Sequence, residues 1–106
     1  LLLFKRYKHK YGMPDVIHAQ NFFNGGLTAV KIKEKFNVPI VLIEHNSQFM
    51  TASINERQKV LFQNNIYKFD SVICVCNALS KKISKLIPAL EIDVIGNLVD
   101  IDFFIY

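Results

Sequence analysis

No apolar run in this chain approaches the roughly 18–20 residues that span a bilayer, so nothing in it reads as a transmembrane segment. The stretch Leu1-Leu-Leu-Phe4 is too short for the core of a secretory leader, and the basic residues follow it instead of preceding it. With no export signal in view, the expected location is cytoplasmic. Cysteine is scarce: only Cys74 and Cys76 occur, inside the run Ser71-Val-Ile-Cys-Val-Cys76. On a strand, residues i and i+2 point to one face, a geometry that does not favour a mutual disulfide. No second cysteine pair completes a zinc site. Buried free thiols are therefore expected, in keeping with a reducing compartment.

Several chemical signatures are also missing. The chain has neither the dinucleotide fingerprint G-x-G-x-x-G nor the P-loop G-x-x-x-x-G-K-[ST]. It has no Gly-x-Ser-x-Gly elbow, no His-Glu-x-x-His pair and no calcium loop, which argues against the common hydrolase and metal classes. No metal site is expected.

What remains is a globular composition. Hydrophobic residues make up 51% of the 106 and charged residues 21%, enough for one modest domain with a real core. The net charge of +4 is local. Lys5, Arg6, Lys8 and Lys10 supply four of the 13 basic residues, and the other nine match the nine acids. This N-terminal stretch reads either as the solvated end of a helix or as an amphipathic contact for an anionic membrane surface. No basic stripe continues downstream, so nucleic acid is not an expected partner.

The pattern of elements is regular. Residues 1–11 read as a helix closed by Gly12, and residues 15–20 as a strand. Asn21-Phe-Phe-Asn24 reads as a loop, after which Gly25-Gly26 opens a helix to about Asn37 with Ala29, Ile32 and Phe36 on one stripe. Pro39–Ile43 is an uninterrupted, β-branched run, the pattern of a strand buried on both faces. Ser53-Ile-Asn-Glu56 has capping-box spacing before a helix that buries Phe62, Ile66 and Phe69. Ser71–Cys76 is a third strand, and Asn77 can cap a helix carrying Leu79, Ile83 and Leu86. Glu91–Ile95 is a fourth strand. The order β-α-β-α-β-α-β with short linkers and right-handed crossovers gives an α/β fold: a Rossmann-like, doubly wound parallel sheet. The tail Asp102-Phe-Phe-Ile-Tyr106 has no closing element, and the chain reads as an excerpt of a larger protein.

In open parallel sheets ligands bind outside the carboxyl ends of the strands. His18 and Gln20 end the first strand on one shared face, and Glu44 and His45 end the second. A neutral imidazole at His45 could hydrogen-bond a sugar hydroxyl, and a protonated one could balance a phosphate. Gly25-Gly26 could present backbone N–H groups to an anion, or could simply allow a tight turn and close helix–sheet packing. Asp100 and Asp102 read as solvated turn residues.

Four blocks together resemble the N-terminal half of a GT-B glycosyltransferase of the large retaining family four. Pro14-Asp-Val-Ile-His-Ala-Gln20 is similar to that family's Pro-Asp-hydrophobic-Ile-His-Ala-His strand. Val38-Pro-Ile-Val-Leu-Ile-Glu-His-Asn46 resembles its hydrophobic strand ending in Thr-Glu-His-Ser. Asp70-Ser-Val-Ile-Cys-Val-Cys-Asn-Ala-Leu79 is similar to its segment of Asp, apolar strand, Ser and helix. Ile95-Gly-Asn-Leu-Val-Asp-Ile-Asp-Phe103 resembles its Pro-Asn-Gly-Val-Asp-x-x-x-Phe signature. The blocks cover residues 14–104, nearly the whole chain.

The resemblance implies transfer of a sugar from a nucleotide-sugar donor to a saccharide or lipid-linked acceptor, with retention and without a metal or cofactor. Residues 1–106 would be part of the acceptor-side domain. The donor-binding C-terminal domain, with its Arg/Lys pair for the diphosphate leaving group, would lie outside these residues. His45 matches the histidine that reaches toward the transferred sugar and its phosphate. His18, Gln20, Asn21, Gly25, Gly26, Glu44 and Asn46 are expected on the substrate side. Gln20 stands where the motif has a second histidine, which keeps hydrogen bonding and removes a titratable group. Gly96, Leu98 and Cys76 also depart from the family's pattern, whereas Asn97 and Asp100 remain as turn residues. A non-catalytic α/β interaction module, or a decayed remnant of such an enzyme, is the alternative.

Overall fold

A computed structural model describes residues 1–51 and 53–103. Helix α1 (Leu2–Tyr11) ends at Gly12, whose φ of 86° is left-handed and whose N–H bonds back to Lys8 O. Glycine reaches that conformation without a Cβ clash, so the expected stop holds. None of α1 is fully buried, and its anchor is the Phe4 ring, 5.2 Å from the Phe36 ring of the next helix. Among the described residues no helix is long and apolar enough to cross a membrane.

Four parallel strands follow: β1 (Ile17–Gln20), β2 (Ile40–Glu44), β3 (Ser71–Cys74) and the two-residue β4 (Asp93–Val94). Between them run α2 (Leu27–Phe36), α3 (Glu56–Asn65) and α4 (Asn77–Leu86). The fold is the expected α/β class, an all-parallel Rossmann-like sheet with flanking helices.

Within the described residues the winding runs one way, in the order β1-β2-β3-β4. Successive right-handed crossovers in one direction put every connecting helix on the same face. The register agrees. Ile17, Ile40, Leu42, Val72, Glu44 and Cys74 align across the strands and point into the core shared with Val30, Phe62, Leu79 and Ile83. The opposite face carries His18, Gln20, Val41, Ile43, Ser71, Ile73 and Asp93, none of them fully buried. The shortest dimension of the molecule, 22 Å, suits one sheet layer and one helix layer. This corrects the expectation that β2 is buried on both faces. Ile40 and Leu42 are fully enclosed, whereas Val41 and Ile43 are half-buried because no described helix lies over them.

The start of β2 is fixed from β3. Asp70 Oδ2 accepts the Ile40 N–H at 2.8 Å and the Lys33 ammonium at 2.7 Å, and the Asp70 N–H returns to Ile40 O at 2.9 Å. The lysine, then the amide, hold the Asp70 carboxyl below its ordinary value. A second ion pair, Lys68 with Glu34, joins α2 to the segment after α3.

Several boundaries move for physical reasons. The capping box of α3 is Asn55 with Gln58, not Ser53 with Glu56: Asn55 Oδ1 accepts Gln58 N–H at 2.8 Å and Gln58 Oε1 accepts Asn55 N–H at 3.1 Å. The Ser53 hydroxyl is already engaged, 2.9 Å from that of Thr51. Asn77 is the first residue of α4 and not its cap, because the ladder runs on past β3, with Val75 N–H bonding Glu44 O, and leaves Cys76 as the hinge. Cys76 is consequently exposed, and only Cys74 is a buried thiol. The fourth strand shrinks from Glu91–Ile95 to Asp93–Val94, both exposed. Asp100 Oδ1 accepts the N–H groups of Asp102 and Phe103, the expected turn. Phe103 is exposed; the rest of the apolar tail, Phe104, Ile105 and Tyr106, lies outside the described residues.

Candidate functional site

The expected site lies where β1 and β2 end side by side. Gln20 pairs with Ile43, so Glu44 and His45 project beyond the first strand's end. Asn21 then takes a left-handed φ of 58°, a conformation asparagine tolerates better than most side chains. The reversal turns the chain into a π-helical turn, Asn21–Gly26, closed by Leu27 N–H on Phe22 O, which feeds α2. The segment expected as a loop, Asn21–Asn24, is therefore helical.

The two glycines are there for packing. A Cβ on Gly25 would stand 3.1 Å from Gln20 O, and one on Gly26 would stand 3.4 Å from both Asn21 O and the Phe69 ring. The turn closes onto the strand end it has just left, and Gly26 is buried beneath it. Of the two readings of Gly25-Gly26, close approach is the one the geometry carries, and Gly26 is withdrawn from the substrate-facing set.

Glu44 is also reassigned. Its side chain is fully buried, with Oε2 accepting Phe22 N–H and Oε1 accepting Asn46 N–H, each at 2.8 Å. Burial pushes its carboxyl above the ordinary value, against the pull of those amides and of His45. Beside it in register, the Cys74 thiol is pushed up to about 12, first by burial and then by the Glu44 charge. Neither group meets solvent.

What the rim does expose is His45 with Gln20. The imidazole Nε2 lies 3.4 Å from Gln20 Oε1, and the His45 N–H donates to Asn21 Oδ1 at 3.2 Å. His18 is exposed one pleat further back on the open face of the sheet, and among the described residues its side chain has no hydrogen-bond partner. Asn46 faces inward to its own chain: Oδ1 accepts Gln48 N–H at 3.0 Å, capping the short turn Ser47–Phe49. Of the expected set, then, Gln20, Asn21 and His45 come together. Glu44 and Gly26 lie beneath them, and Asn46 caps a turn. Among the described residues no group of three or more His, Cys, Asp or Glu is placed to hold a metal ion.

Sequence reasoning missed the aromatic bed under this rim. Phe62 of α3 meets Phe22 edge-on at 4.8 Å and Phe49 at 4.9 Å, and Phe23 stacks on Phe49 at 5.8 Å. Phe22 and Phe23 come from the turn after β1 and Phe49 from the turn after β2, so one cluster seats both turns. The sole signal was Phe22-Phe23 within a segment otherwise polar enough to read as a loop.

A parallel α/β layer with its polar groups gathered at the carboxyl ends of the strands is the Rossmann-like class. The chain belongs to glycosyltransferase family 4, whose family profile matches residues 2–103. It matches no curated protein.

Proposed function

We propose that this chain forms the acceptor-side wall of a retaining, metal-independent glycosyltransferase of GT-B type. It would move a sugar from a nucleotide-sugar donor to a glycan or lipid-linked acceptor. Family membership supports transferase chemistry, and the single observation that carries the site is the exposed His45 imidazole beside Gln20. At 3.4 Å the Gln20 carbonyl can accept a hydrogen bond from Nε2–H, which orients the ring. With Nε2–H turned to Gln20, a neutral ring offers Nδ1 as an acceptor to a sugar hydroxyl, and a protonated ring offers an Nδ1–H donor and a charge opposite a phosphate. Stabilising the leaving diphosphate needs cations or aimed dipoles. The rim residues Gln20, Asn21 and His45 include no Lys or Arg, so that task falls to a donor-binding domain outside these residues.

The test is His45→Ala in the full-length chain, assayed against a panel of nucleotide sugars. The imidazole is exposed, so the unfolding midpoint should stay within experimental error while turnover falls about 100-fold or more. Turnover within twofold of the parent removes His45 from the site. No turnover of any donor by the parent chain favours the non-catalytic α/β interaction module instead.

A further inference from the structure

Glu44 is the only charged side chain fully buried among the described residues, and sugar transfer as proposed gives it no contact with substrate. Its surroundings assign it a different task. Three successive residues leaving β1 each bond to the exit of β2. Gln20 Oε1 lies against His45 Nε2, Asn21 Oδ1 accepts His45 N–H, and Phe22 N–H donates to Glu44 Oε2. A fourth bond, Asn46 N–H to Glu44 Oε1, fixes the chain on the far side of His45. The same carboxylate thus holds the residue after His45 and the turn that leaves the strand end carrying Gln20.

We infer that Glu44 is a positioning residue: its two oxygens tie the π-helical turn Asn21–Gly26 to the end of β2, and neutralising it frees the His45 ring from Gln20. One buried N–H, of Phe22, and one part-buried N–H, of Asn46, each meet an oxygen of their own, and a carboxylate at this position supplies both as acceptors. A protonated carboxyl or a glutamine side chain keeps one acceptor and turns a donor toward the other amide. The pair cannot both be satisfied, so one side of the tie opens. Nothing else nearby replaces the lost charge. From β3 the facing group is Cys74, whose thiol is pushed up to about 12, and the neighbouring titratable ring at the end of β2 is His45. The turns 21–26 and 47–49 contribute no ionisable side chain.

The inference rests on the sugar-transfer reading for its kinetic consequence alone, and the experiment separates the two. The full chain, labelled with 15N and with 13C at the glutamate carboxyls, is titrated from about pH 4 to pH 8 by NMR. The Glu44 carboxyl should titrate above an ordinary glutamate. The Phe22 and Asn46 amides should move with its midpoint, and the nuclear Overhauser contact between the Gln20 side chain and the His45 ring should fade on its acid side. In Glu44→Gln that contact should be absent at every pH, and the Phe22 or Asn46 amide should exchange about tenfold faster or more, while Leu42 and Val72 exchange as before. In the transferase assay Glu44→Gln should lower kcat and remove the acid limb of the pH profile with donor KM little changed. If the amides ignore the Glu44 midpoint, or the Gln20–His45 contact survives in Glu44→Gln, the positioning role is refuted. Should that variant fail to fold, the parent titration decides by itself. A chain with the NMR signature and no turnover keeps the inference and loses the transferase reading.

Discussion

Replacing Phe62 by alanine removes the ring at the centre of the cluster that seats both turns of the rim. Phe62 has no exposed surface and meets Phe22 and Phe49 at centroid distances of 4.8 and 4.9 Å. Emptying such a site costs about 3–5 kcal/mol. Two close ring pairs, each contributing about 0.5–1.5 kcal/mol beyond area burial, place this position in the upper half of that range. A domain of this size has about 5–15 kcal/mol in total, so the variant should be marginal. In urea, with a slope of about 1–3 kcal/mol per molar, the unfolding midpoint should fall by about 1.5 M or more. Phe62→Leu keeps most of the volume and should cost only about 1.5 kcal/mol. The second readout is local. Because Phe22 carries the N–H that Glu44 accepts, Phe62→Ala should expose the Phe22 amide to exchange before β2 opens. A loss below about 1 kcal/mol, or uniform loosening with no extra exchange at Phe22, refutes the idea that this cluster clamps the rim.

Two further outcomes follow from packing and exposure. Gly25→Ala should destabilise the chain by about 1–3 kcal/mol, because its Cβ meets backbone that cannot swing aside. Gly26→Ala, with contacts at 3.4 Å or more, should cost less; equal effects in urea melts would contradict the geometry. With a thiol reagent at neutral pH, Cys76 should react at once, whereas Cys74, buried and with its thiol pushed up to about 12, should react only as the chain unfolds. Two fast thiols would overturn that assignment.

The strand and helix order was legible in the residues because each element carried its own period and its own stop: Gly12 after α1, and the β-branched run of β2. That His45 and Gln20 meet at neighbouring strand ends was legible too, since both stand at the ends of apolar runs. What stayed hidden were choices made by neighbours distant in sequence. Alternation from Ile40 and Leu42 puts Glu44 on the core face, and the partner that satisfies it there, the Phe22 N–H, lies 22 residues earlier. Asn55 outcompetes Ser53 as a cap because Thr51 already holds the serine hydroxyl. The half-covered face of β2 depends on strand order, which composition does not encode.

One-way winding also has an electrostatic consequence. Parallel strands joined in a single direction send α2, α3 and α4 away from the same edge, so their N-terminal ends share the rim with His45. Each aligned helix places about half a positive charge at its start. These helix starts add a positive main-chain contribution at that edge, set against the buried Glu44 carboxylate and against Glu56 in the first turn of α3, and salt screens it over about 10 Å. Substituting a surface lysine would leave that main-chain contribution unchanged.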